Sequence, residues 1–115
     1  MGARIPRSHP LQVRVLKRPA KVRILGKVYA VKYTNGEPVH DDAQGHCDYL
    51  KLKISVREGL APTEERSTVL HEALHCISHA MGLHFSESRI ERLETGLLAL
   101  LVDNPELVSY LTKKV

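Results

Sequence analysis

Two histidines four residues apart, His71 and His75, lie in a segment whose apolar residues recur at helical spacing. On a helix, side chains four apart stand one above the other on the same face. Both imidazoles can then reach one metal ion, with Glu72 next to them. Two ligands do not complete a site, so the rest of the chain must bring a further donor to this helix. No other feature of the sequence constrains the fold as strongly.

The local signals agree that residues 63 to 82 form a helix. Pro62 and Thr63 supply a breaker and an N-cap, and Glu64 and Glu65 put negative charge into the first turn. Gly82 is placed to end it. Leu70, Ala73, Leu74, Ile77 and Met81 make an apolar stripe, with the two histidines beside it, which suits a site at the edge of a core. His71-Glu72-Ala73-Leu74-His75 is then the HExxH pattern of zinc hydrolases, in which the glutamate takes a proton from water activated by the metal.

At 115 residues the chain reads as one domain, residues 11–115, behind a loose proline-containing arm at residues 1–10. With one Phe and no Trp, its core must be built from Leu, Val and Ile. No apolar run approaches the roughly 18 residues of a membrane helix, and the basic N-terminus lacks an apolar signal core, so the expectation is a cytoplasmic protein without a membrane partner. The two cysteines, Cys47 and Cys76, read as free thiols in a reduced compartment. Nine of the 17 Lys and Arg precede residue 34, and no Asp or Glu occurs before Glu37. Such a basic block can bind nucleic acid. Without an aromatic-studded nucleic-acid motif, solvated strand faces are the favoured reading. Nothing in the sequence signals an oligomeric state.

Strands come first. Val13 and Val15 alternate with Arg14, and Val22 and Ile24 alternate with Lys21 and Arg23. Gly26-Lys27 reads as a turn or bulge, residues 28 to 33 as a strand, and Thr34-Asn35-Gly36 as a turn. Residues 36 to 48 are polar, with His40, Asp41, Asp42, His46, Cys47 and Asp48 among them, and are expected to be a loop rather than a second metal site. Leu50, Leu52, Ile54 and Val56 alternate with Lys51, Lys53, Ser55 and Arg57, the clearest strand of all. After the motif helix, residues 87 to 102 form a second helix with Ile90, Leu93, Leu97, Leu100 and Leu101 on one face. Asn104-Pro105 then opens a third, whose Leu107, Val108 and Leu111 face inward. Strands followed by three helices make an α+β domain.

For the remaining ligand the candidates are His79, His84, Glu87, Glu91 and Glu94. Three successive turns of a straight helix cannot easily share one zinc, so His79 is a neighbour of the site. A metzincin would need Gly and His where Ser78 and Met81 stand. Glu87 and Glu91 share a face, so one could bind metal while the other orients a histidine. Each also has a plain reading, Glu87 as a helix-start charge and Glu91 as the end of a capping box from Ser88. Geometry slightly favours Glu91, because Glu87 sits close to the turn.

From about Val22 to Leu111 the chain resembles the small HExxH metallopeptidase-like proteins of phages and mobile elements, relatives of the ImmA/IrrE-type gluzincins. The resemblance runs through VRILGKVYAV, GHCDYLKLKISV, TVLHEALHCISH and ESRIERLETGLLALLVDNPELV. It implies a minimal zincin-like domain, a small twisted sheet followed by the HExxH helix and two more. It also implies Zn2+ on His71 and His75, Glu72 as the catalytic carboxylate, and the acidic residue opening the second helix, Glu87, as third ligand, with Glu91 the runner-up. The expected function is a zinc metallopeptidase acting on a peptide or protein, with the Leu50–Val56 strand aligning the substrate. Tyr49, His79 and His84 are candidates for a second donor to the reaction. The alternative is a non-catalytic accessory module that binds nucleic acid or a protein through the basic strands.

Overall fold

A computed structural model describes residues 17–36 and 43–114. The expected arm and the Val13–Val15 strand lie outside these residues, as do His40, Asp41 and Asp42. The architecture is α+β, a four-stranded sheet followed by three helices.

Strands β1 (Lys21–Ile24) and β2 (Lys27–Thr34) form an antiparallel hairpin with Ile24 opposite Lys27. Its two-residue turn is Leu25-Gly26, one position earlier than the sequence suggests. Both residues have positive φ, 48° and 88°, which matches the twist of the flanking strands.

β3 (Gly45–Asp48) and β4 (Lys53–Arg57) make a second antiparallel hairpin, and β4 runs parallel to β2. The order is β1-β2-β4-β3, so among the described residues β3 is a free edge. Two expectations are corrected. The polar segment before Tyr49 contains a strand, because a four-residue edge strand needs only one apolar face, here Cys47. The Leu50–Val56 strand begins only at Lys53. Asp48 Oδ1 accepts hydrogen bonds from the amides of Leu50 and Lys51, which turns the chain there and leaves Leu50 96% exposed.

Helix α1 (Pro62–Ala80) lies across one face of the sheet. Ile24, Tyr29, Val31, Ile54 and Val56 pack with Cys76 there, bordered by Val69, Ala73 and Ile77. Ala61, not Thr63, is the N-cap, because Pro62 itself takes the first helical position, where its missing N–H costs nothing. Gly82 follows the C-cap at φ 66°, as a helix terminator should. The expected stripe is partly corrected as well. Leu74 is buried, but Met81 is 58% exposed, and the most enclosed positions are Thr68, Glu72, Cys76 and Ser78. α1 packs against the next helix as well as the sheet, so its buried arc is wider than one stripe.

Helix α2 (Glu87–Asp103) packs on α1, and α3 (Pro105–Thr112) packs on α2. Asn104 sits at the N-cap of α3, but its side chain donates back to the Leu100 carbonyl instead of capping. Only Ile90 of α2 is buried, while Leu93, Leu100, Leu101 and Leu111 are exposed. The inward face expected for α2 and α3 is therefore only partly covered: Leu97, Leu107 and Val108 are half-buried, and the remaining leucines named for it face solvent. No helix among the described residues is long and apolar enough to cross a membrane.

Candidate metal centre

The spacing of the motif divides its side chains between two neighbours. Glu72, one residue past His71, turns about 100° round the helix and meets the sheet edge. His71 and His75 turn towards α2. The reversal between α1 and α2 is held by Ser78, whose carbonyl accepts from the Leu83 amide and whose Oγ accepts from the Phe85 amide at 2.9 Å. Ser86 then caps α2 by accepting from the Arg89 amide, so the capping-box reading of Ser88 and Glu91 does not hold. This short connection puts Glu87, the first residue of α2, directly over the histidine pair.

The Glu87 carboxylate bridges the two rings. Its Oε2 lies 2.7 Å from His71 Nε2 and its Oε1 2.8 Å from His75 Nε2. One ligand atom from each of His71, His75 and Glu87 falls within 4.8 Å of the other two, a group that could hold a metal ion. The carboxylate that the structure brings to the two histidines is thus Glu87 rather than Glu91. The geometric preference for Glu91 fails because α1 stops at Ala80 and the chain doubles back within six residues. The donor set fits a metal: two imidazole nitrogens and one carboxylate, with the carboxylate side chain 63% exposed on the outer side.

Glu94, seven residues and two turns beyond Glu87, lies on the same face of α2 and reaches His71 Nδ1 at 3.0 Å. The second carboxylate at the motif histidines, expected at Glu91, is therefore Glu94. The useful signal was the i, i+7 pair of glutamates, which aligns better on a helix than i, i+4.

Glu72 is 7% exposed, and its carboxyl makes no hydrogen bond to any described residue. Burial pushes its carboxyl up to about 7, with the His71 charge opposing and the Glu87 charge assisting. Burial also disfavours the His71 imidazolium, but the hydrogen bond to Glu94 and the charges of Glu87 and Glu72 outweigh it, raising its pKa. For Glu87 burial works against ionisation, and the His71 charge and the hydrogen bonds of both rings reverse the balance, lowering its pKa.

Gly45, at the start of β3, is the residue that sequence reading missed. A Cβ there would stand 2.8 Å from Thr68 Cγ2 and 2.9 Å from both Cγ and Oε2 of Glu72. Only glycine lets the edge strand lie this close to the carboxylate. Of the suggested second donors, His79 is exposed and stacks on Tyr49, with centroids 3.9 Å apart, and His84 is exposed in the turn at φ 54°. Tyr49 lines the cleft that also contains Glu72, His75 and Glu87. Burial, with the nearby thiols, holds its hydroxyl up at about 12. Cys47 and Cys76 are both free.

Comparison with protein-family models, with curated proteins and with solved structures returns no match.

Proposed function

We propose that this chain is a zinc-dependent metallopeptidase of gluzincin type, akin to the small phage and mobile-element proteins it resembles. One observation carries the reading: the imidazoles of His71 and His75 converge on the Glu87 carboxylate, and the buried, unpaired Glu72 carboxyl opens into the same cleft. Two imidazoles and one carboxylate are a donor set that zinc takes, as iron also does; the HExxH spacing is what favours zinc here. When bound, zinc supplies the acidity that makes water nucleophilic near neutral pH and polarises a carbonyl.

Glu72 is the general base. A carboxyl held near 7 takes a proton from water and can return it to the leaving amine, whereas a fully solvated one would be too weak a base. Glu94 keeps the His71 proton on Nδ1 and leaves Nε2 free as a ligand. Tyr49, protonated at all ordinary pH, donates a hydrogen bond to the oxygen that gains charge. An extended substrate pairs with the free edge of β3, which borders the cleft, and not with β4, whose two sides are occupied by β2 and β3. The test is turnover of a peptide library by the zinc-loaded chain and by Glu72→Gln. Cleavage by the former alone supports the reading. Equal cleavage by the metal-loaded variant removes Glu72 from its role.

A second reading is favoured by a different surface. Lys21, Arg23, Lys32 and Lys53 alternate with core residues and so share the sheet face turned away from α1. A non-catalytic module would use that face to bind nucleic acid. Its signature is binding to duplex DNA or RNA by the metal-free chain that weakens steeply with salt.

A further inference from the structure

The cleft is not symmetrical about the candidate metal group. On one side, between the start of β3 and the two helices, lies a cavity of about 330 Å³ lined by Gln44, Thr68, Glu91 and Glu94 and by Glu72 and Glu87, which it shares with the other side. On the other side the lining is His46, Cys47 and Tyr49, which bring no carboxylate. The acidic side carries more charge than the centre requires. Glu87 is taken up as a ligand, and Glu94 is paired with His71. Glu91 has no side-chain partner among the described residues, and no described Lys or Arg forms an ion pair with Glu72, Glu91 or Glu94. Within this acidic cavity Glu72, more than nine-tenths buried, turns an unpartnered carboxyl into the open space.

We infer that this cavity is a specificity subsite for a cationic side chain, so that the preferred substrates carry lysine or arginine next to the bond attacked. The inference rests on the metallopeptidase reading and adds the substrate class to it. Three physical points carry it. The cavity is of the size that takes an extended side chain, since ligand pockets begin at roughly 300 Å³. Its walls are polar at Gln44 and Thr68, whose side chains hydrogen-bond to one another at 3.2 Å and so hold its rim. Its unbalanced negative charge lies in a partly enclosed space, where a cation is attracted more strongly than at an open surface. An uncharged side chain would leave Glu91 without a counter-charge and would gain little, because the walls offer few apolar groups. An acidic side chain would be repelled.

The experiment uses the full zinc-loaded chain and two probes that need no turnover, N-acetyl-lysine hydroxamate and its uncharged isostere N-acetyl-norleucine hydroxamate. Both anchor on zinc through the hydroxamate, so the ratio of their dissociation constants reports the side-chain subsite alone. The lysine probe should bind about tenfold more tightly at low ionic strength, with the advantage shrinking as salt rises. Glu91→Gln, an exposed helix position outside the ligand set, should reduce that advantage to about twofold without changing zinc content. Equal affinities, or a lysine preference unchanged in Glu91→Gln, would overturn the subsite. A chain that discriminates the probes but cleaves no peptide would keep the subsite and remove the peptidase reading. A chain that takes up no zinc would bind neither probe and remove both.

Discussion

Glu94 Oε1 lies 3.0 Å from Nδ1 of His71, on the side of the ring opposite the nitrogen that faces Glu87. With a metal on Nε2, this contact would keep the proton on Nδ1 and set the tilt of the first histidine of the motif. Glu94→Gln keeps the side chain's size but offers a neutral acceptor, and Glu94→Ala removes it. Zinc affinity, measured by competition with a chromophoric chelator, should fall about tenfold in the first and by up to about a hundredfold in the second. The fold, read by circular dichroism, should persist in both. Unchanged affinity in Glu94→Ala would show that the contact orients nothing.

The edge strand approaches Glu72 so closely that Gly45 has no room for a side chain. Gly45→Ala must therefore push β3 away from α1 or displace the Glu72 carboxylate. Overpacking of this kind costs about 1–3 kcal/mol, a drop that thermal unfolding of the metal-free chain resolves. Turnover should fall further than stability does, since the displaced group is the proposed base. The neighbouring glycine-free control, Gln44→Ala, should leave the Glu72 position untouched.

The metal-free chain should lose stability as pH rises from about 5 to 8. Glu72 keeps its proton to about 7 when folded but releases it near 4.5 when unfolded. Between those values the folded state holds the extra proton, so each step up in pH favours unfolding, in total by about 3 kcal/mol. His71, with its raised pKa, adds to the same trend, for the stability of its charged form is lost as pH passes its folded value. Glu87, with its lowered pKa, acts in the acid range, where its contribution disappears as pH falls. Chemical denaturation with a chelator present checks this. Glu72→Gln should flatten the slope, and a wild-type stability that rises towards pH 8 would contradict it.

Much of this organisation was legible because it depends on period and punctuation. The alternation of Val22 and Ile24, the 3.6-residue pattern around His71 and His75, and the Gly82 and Asn104-Pro105 breaks each state a local preference that the fold keeps. What escaped depends on distance in space. Gly45 matters only because Glu72, 27 residues later, comes to lie against it. The choice between Glu87 and Glu91 turned on where the chain reverses, which the Ser78 hydrogen bonds to Leu83 and Phe85 decide. The inward faces assigned to α2 and α3 overreached because periodicity shows which residues share a face but not whether anything covers it. Leu100 and Leu111 share theirs with solvent.

The most direct test of the account is the metal content of the purified chain, with His75→Ala and Glu72→Gln alongside. Zinc close to one equivalent in the wild type and in Glu72→Gln, and lost in His75→Ala, is the predicted result. No uptake by any of the three after reconstitution with zinc would contradict it, and His71, His75 and Glu87 would then be a hydrogen-bonded cluster on a helix face.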